Sequence, residues 1–162
     1  MPSVLFVCTA NRFRSPIAEA CFRELLHKQG EKNWLVGSVG SWTKPGLKAL
    51  PSAKWSHKQL GLDLSGHRSR PVSRALLAEY DLILVMERNQ KESLGIEFPE
   101  TRSRLFLLSD FSEEPYDIPD PVRAAEQTQA VYLDAAQELL DLIRVCFQAI
   151  CVQAERGGRQ VR

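Results

Sequence analysis

The stretch Val4-Leu5-Phe6-Val7-Cys8-Thr9-Ala10-Asn11-Arg12-Phe13-Arg14-Ser15-Pro16 decides how this chain reads. Its first part is an unbroken apolar run, which marks a strand covered on both faces, because a strand with one wet face would alternate. Pro16 suits the first turn of a helix. Ile17, Cys21, Phe22 and Leu25 then fall on one helical stripe, and Gly30 is placed to end it. Cys8 therefore sits at the carboxyl end of a buried strand, and Arg14 sits where a helix begins. In an open α/β sheet, ligands bind outside the carboxyl ends of strands. A helix N-terminus adds unpaired N–H groups and the positive end of the helix dipole, which together favour a phosphate-like anion.

That placement gives each residue type a chemical use. Thiols at helix N-termini beside arginine favour the thiolate, the form that attacks phosphorus. Arg14 offers a planar fork for two phosphate oxygens, which lysine cannot copy. A loop of amides over Thr9, Ala10, Asn11, Arg12, Phe13, Arg14 and Ser15 would surround the three equatorial oxygens of an in-line displacement. Against this, a lone strand-end cysteine is usually a small buried hydrophobe, and Cys-x5-Arg alone is a weak pattern.

A second signal lies downstream, in Tyr116-Asp117-Ile118-Pro119-Asp120-Pro121. Asp120 reads as the cap of a helix starting near Pro121, or as the general acid for a leaving oxygen, a role worth roughly 10²–10⁴-fold. Asp117 is the weaker candidate.

Working outward, apolar runs recur at Trp34 to Val39, Leu82 to Met86 and Leu105 to Leu108. Between them, Ser52 to Leu60 and Ser73 to Tyr80 read as short helices, closed by Gly61 and opened by Ser73 respectively. Val131, Ala135, Leu139, Ile143, Phe147 and Ile150 recur at steps of three or four and mark a long amphipathic helix. Strands alternating with helices imply parallel pairing and right-handed crossovers. The expected fold is a three-layer α/β sandwich with a central four-stranded parallel sheet flanked by helices, the phosphate loop following the first strand.

The chain has 162 residues, 44% of them hydrophobic and 25% charged, which excludes disordered and collagen-like classes. One domain of this size has core enough to need no metal or disulfide. The net charge of +1 argues against a domain built to neutralise nucleic acid, so any anion site must be local. The cysteines at 8, 21, 146 and 151 form no Cys-x-x-Cys pair, and the three histidines show no metal-ligand spacing, so no metal and no cofactor are expected. His27 and His57 read as surface residues. The N-terminal apolar run is far too short for a membrane span and lacks a basic leader, so a cytoplasmic protein without membrane insertion is expected. Residues 1–155 form the domain, and the Gly-rich, basic 156–162 reads as a flexible tail.

At this point the sequence resembles the low-molecular-weight protein tyrosine phosphatase family, over nearly the whole chain. The matching pieces are Cys8 to Pro16, Ala18-Glu19, Ser38-Val39-Gly40-Ser41, Leu62-Asp63-Leu64-Ser65-Gly66-His67 with Arg70, Asp81 to Met86, and Asp120-Pro121. Their order and spacing together are specific. The resemblance implies a phosphotyrosine-protein phosphatase acting on aryl phosphate monoesters through a phosphocysteine, with Cys8 the nucleophile, Arg14 the clamp and Asp120 the acid and then the base. It further implies that Asn11 holds the loop in a left-handed conformation, that Ser15 donates to the Cys8 sulfur, and that Ser38 and His67 brace Asn11. Glu87 stands where the family places an acidic partner. The segment from Asp117 to Arg123 is most like the bacterial branch associated with exopolysaccharide tyrosine kinases, which makes a tyrosine-phosphorylated protein, such as a bacterial tyrosine kinase, the expected partner.

The chain departs from the family pattern at several positions. Ala10 replaces a glycine, a strained choice if that backbone needs positive φ, and Phe13 replaces a second cysteine that protects the nucleophile by disulfide formation. The expected substrate rim is Arg12, Trp42, Val122 and Arg123: Arg12 replaces an aliphatic residue there, and Val122, with Arg123 after it, stands where an aromatic grips the phenyl ring. Either Trp42 and Phe13 compensate at the rim, or the preference shifts, with Arg12 favouring acidic peptides or more anionic phosphates. Two competing readings are a phosphate- or phosphopeptide-binding regulator without turnover, and an arsenate reductase, whose thiol relay Cys21, Cys146 and Cys151 are badly placed to supply.

Overall fold

The computed structural model describes residues 1–160, apart from the side chains of residues 57, 159 and 160. The expected surface position of His57 and the last two residues of the expected tail lie outside the described residues. The four apolar runs form strands β1 (Ser3–Cys8), β2 (Leu35–Gly40), β3 (Leu82–Val85) and β4 (Leu105–Leu107), all parallel, in the spatial order β2-β1-β3-β4. The helices are α1 (Arg14–Lys28), α2 (Pro51–Leu60), α3 (Arg74–Ala78), α4 (Arg88–Glu97) and α5 (Gln129–Gln160).

The strands bury both faces because the sheet is covered twice. Val4, Phe6 and Cys8 pack with Leu82, Leu84 and Met86 towards α1 and α5. Leu5 and Val7 pack with Ile83, Val85, Leu105 and Leu107 towards Leu77 of α3 and Leu94 of α4. The chain leaves β1 in one direction to β2, then returns across β1 to β3. The loop after β1 thus opens at the point where the strand order reverses, the usual ligand crevice of such sheets.

Three features differ from the sequence reading. Helix α4 lies in a stretch without an apolar stripe. The segment after Asp120 is one short 3-10 turn, Pro121–Arg123, and the long helix starts at Gln129. Residues 156–160, read as a flexible tail, continue α5, and Gly157 and Gly158 pass close to Asp81. A Cβ at Gly157 would lie 2.8 Å from the Asp81 carbonyl oxygen, so these glycines of the expected tail permit a close helix–loop contact.

Candidate active site

The loop from Cys8 to Arg14 turns sharply through Asn11, the one non-glycine residue with positive φ (54°) among those described. Asparagine tolerates this region better than most residues. Ala10 is not in it, so the strain expected if Ala10 required positive φ does not arise. The loop is held from outside through its carbonyl groups. Ser41 N donates to Cys8 O at 2.9 Å, Trp42 N to Thr9 O at 3.0 Å, and Leu50 N to Arg12 O at 2.9 Å. His67 Nε2 lies 2.7 Å from Asn11 O. The amides of Ala10, Arg12, Phe13, Arg14 and Ser15 donate to no acceptor among the described residues. That is the polarity an anion cradle requires: oxygens turned to the scaffold, N–H groups free.

The Asn11 side chain is fully buried and joins three residues. Its Nδ2 donates to Ser15 Oγ and Ser38 Oγ, each at 2.9 Å, and its Oδ1 accepts from Arg70 N at 2.9 Å. Ser38 in turn donates to Glu19 Oε2 at 2.6 Å. Ser15 Oγ lies 3.0 Å from Cys8 Sγ, and Asn11 N donates to the same sulfur at 3.3 Å. Ser15 thus has its orientation set by a buried network anchored on β2.

Arg14 is 2% exposed. Its Nη1 donates to Glu87 Oε1 at 2.6 Å and to Ile118 O at 2.8 Å, and its Nη2 donates to Asp120 Oδ2 at 3.2 Å. Asp120 Oδ1 accepts from Val122 N at 3.2 Å, capping the 3-10 turn. Arg123 donates from Nη1 to Glu87 Oε2 at 3.1 Å and from Nη2 to Glu87 Oε1 at 3.4 Å. Two guanidinium groups and two carboxylates therefore form one connected cluster beside the loop.

The rim residues separate. Trp42 is 84% exposed and Val122 is 53% exposed, while Arg12 Nε donates to Lys48 O at 2.9 Å. Phe13, expected as a possible substrate wall, is 4% exposed and packs edge-on against Tyr132, with ring centroids 5.2 Å apart. It belongs to the core, because the helix start turns its side chain towards α5. Asp117 accepts from Arg88 N at 2.8 Å and fixes the start of α4.

One buried side chain at the site escaped the sequence reading. Gln90 Oε1 accepts from Met86 N at 3.0 Å and Glu87 N at 3.1 Å, and Gln90 Nε2 donates to Thr9 Oγ1 at 3.1 Å. The usable signal was Glu87-x-x-Gln90, a glutamine three residues past a helix start, which can reach back to the cap. Glu19 was noticed as part of a motif without a role. Gly40 is a further constraint: a Cβ there would stand 2.7 Å from Thr9 O, so β2 presses directly on the loop.

Burial raises the thiol pKa of Cys21 to about 11, and burial with Glu155 and Glu31 nearby raises that of Cys151 to about 12. Cys146 is raised by burial as well. These three are packing thiols, held neutral. Among the described residues no group of three His, Cys, Asp or Glu side chains is arranged to hold a metal ion, and no helix is long and apolar enough to cross a membrane.

A parallel α/β sandwich with a Cys-x5-Arg anion loop at its switch point defines a phosphate-handling class. The sequence model of the low molecular weight phosphotyrosine protein phosphatase family matches residues 3–155, and the chain belongs to that family. The low molecular weight protein-tyrosine-phosphatase Wzb of Escherichia coli K12 is 37% identical over 131 residues, covering 80% of this chain and 85% of Wzb. The protein-arginine-phosphatase of Bacillus subtilis is 31% identical over 142 residues, covering 87% of this chain and 91% of that one. In three dimensions, the crystal structure of a YwlE mutant from Bacillus subtilis superposes with a TM-score of 0.84 at 29% identity, covering 93% of this chain and 99% of that one.

Proposed function

We infer that the protein is a phosphotyrosine-protein phosphatase working through a phosphocysteine. The observation that carries the reading is the Cys8 sulfur, contacted by Ser15 Oγ at 3.0 Å and Asn11 N at 3.3 Å, in a loop whose far end supplies Arg14 bonded to Asp120. In the first step, Cys8 Sγ attacks phosphorus, the S–P bond forms and the P–O bond to the phenol breaks, while Asp120 gives its proton to the leaving oxygen. Arg14 and the loop amides hold the equatorial oxygens. In the second, Asp120 takes a proton from water, whose oxygen bonds to phosphorus as the S–P bond breaks. The Ser15 hydroxyl donates to the departing thiolate. No metal enters either step.

The expected substrate is a tyrosine-phosphorylated protein, which the likeness to the low molecular weight protein-tyrosine-phosphatase Wzb supports, and the resemblance of residues 117–123 to the exopolysaccharide-associated bacterial branch makes a bacterial tyrosine kinase the expected partner. A reducing cytoplasm suits a nucleophilic thiol without a neighbouring cysteine. A second reading, hydrolysis of phosphoarginine, is favoured by the likeness to the Bacillus subtilis protein-arginine-phosphatase over most of both chains. Paired assays on phosphotyrosine and phosphoarginine peptides, with acid-quench trapping of the phosphoenzyme, separate the two. Turnover of phosphotyrosine, abolished in Cys8→Ser and strongly reduced in Asp120→Asn, is the expected result. Phosphopeptide binding without turnover, equal in wild type and Cys8→Ser, would establish a regulator instead. Arsenate turnover with thioredoxin would establish a reductase, against the burial of the other three cysteines.

A further inference from the structure

We propose that Arg123 is a positioning residue, which clasps the acid-bearing loop to the end of β3 through Glu87 and so sets Asp120 over the phosphate loop. This rests on Asp120 being the general acid, and it replaces the sequence reading of Arg123 as a residue of the substrate rim. Asp120 stands between two anchors. On its N-terminal side Ile118 N donates to Met86 O at 2.8 Å and Asp117 accepts from Arg88 N. On its C-terminal side, among the described residues, the side-chain bonds back to this strand end are the two from Arg123 to Glu87, at 3.1 and 3.4 Å. Glu87 is 6% exposed, and a carboxylate so buried must be paired.

Charge bookkeeping points the same way. Glu87 takes the shorter bond from Arg14, and Asp120 takes another. Without Arg123, Glu87 and Asp120 would rest on Arg14 alone. With it, Glu87 is paired from the other side as well, and the chain after Asp120 is tied to the same carboxylate that orients Arg14. The Arg123 side chain is 59% exposed, so replacing it does not open a core.

The test uses the full chain carrying Arg123→Met or Arg123→Lys, with kcat/KM measured on phenyl phosphate and p-nitrophenyl phosphate. Protonation matters most for the poorer leaving group. A misplaced acid should therefore lower kcat/KM for phenyl phosphate about tenfold, a fraction of the roughly 10²–10⁴-fold that general acids supply, and lower it less than about threefold for the nitrophenyl ester. Arg123→Lys should recover part of the loss, and in an Asp120→Asn background Arg123→Met should add nothing further, as for residues acting through one group. Equal losses on both esters, or a rise in KM alone, would make Arg123 a substrate contact and overturn the proposal. If the wild type forms no phosphocysteine, the functional reading fails by itself. Hydrogen exchange of the 117–124 amides then decides the clasp: acceleration in Arg123→Met supports it, and unchanged exchange overturns it.

Discussion

Replacing Asn11 tests the loop at its most constrained point. In Asn11→Ala the backbone keeps φ near 54°, and an alanine there costs roughly 1–2 kcal/mol. The Arg70 amide loses its acceptor in a part-buried position, worth about 1–3 kcal/mol. The two bonds from Nδ2 are lost as well, but Ser38 keeps Glu19 and Ser15 keeps Cys8 as partners, so these add about 0.5 kcal/mol each. The sum is about 4 kcal/mol, a large part of the roughly 5–15 kcal/mol that holds a domain together. Asn11→Gly removes the same bonds without the left-handed strain, although glycine loosens the unfolded chain, so it should be about 1 kcal/mol more stable than the alanine variant. Urea unfolding with linear extrapolation measures both. Both variants should also lose turnover, because Ser15 no longer has its orientation fixed. A loss below about 1.5 kcal/mol in Asn11→Ala, or a glycine variant less stable than the alanine one, would refute this account of the loop.

Three further outcomes follow from the packing around the site. Gly40→Ala forces a Cβ to within 2.7 Å of Thr9 O, so thermal melts should show a loss of about 1–3 kcal/mol together with reduced turnover, and an unchanged midpoint would contradict the contact. With folded thiol pKa values of about 11 for Cys21 and about 12 for Cys151 against an ordinary 9.0, the unfolded chain releases these protons first as pH rises. It then binds fewer protons than the native state, so stability should be level below about pH 9 and fall above it. Urea melts across that range should show the decline, shallower in Cys151→Ala, and a flat alkaline profile would rule it out. Phe13 leaves Cys8 no adjacent thiol, and the other three cysteines are buried. Activity lost to peroxide should therefore return poorly with dithiothreitol as the sulfur passes beyond sulfenic acid. Full recovery after mild dosing would show another protective route.

The sheet was legible because residues 4–7, Leu82–Val85 and Leu105–Leu107 are unbroken apolar runs, as a doubly covered parallel sheet requires, while β2 keeps the same burial with Gly37 and Ser38 inside it. Helix α4 was not, because its sequence RNQKESLGIE buries few residues, Gln90, Leu94 and Gly95 among them, and so carries no stripe. The end of α5 misled for the opposite reason. Gly157 and Gly158 lower helix propensity locally, but the packing against Asp81, which needs residues without a Cβ, outweighs propensity. Phe13 misled through position: a loop aromatic beside the phosphate site suggests a wall, yet its direction is set by the start of α1, and it ends against Tyr132.

Asp120 shows why some ambiguities in a sequence have no single answer. A loop aspartate before proline reads as a helix cap, and the same residue reads as a general acid. In the structure the two oxygens have separate partners: Oδ1 accepts from Val122 N and Oδ2 from Arg14 Nη2. The cap fixes the rotamer of the carboxylate, and a fixed rotamer is what an acid needs to meet a leaving oxygen held by the phosphate loop. The net charge of +1 conceals the site for a related reason. Arg14 and Arg123 are matched locally by Glu87 and Asp120, so the attraction for an anion comes from where the loop amides and guanidinium groups point, a quantity that no sum over the sequence contains.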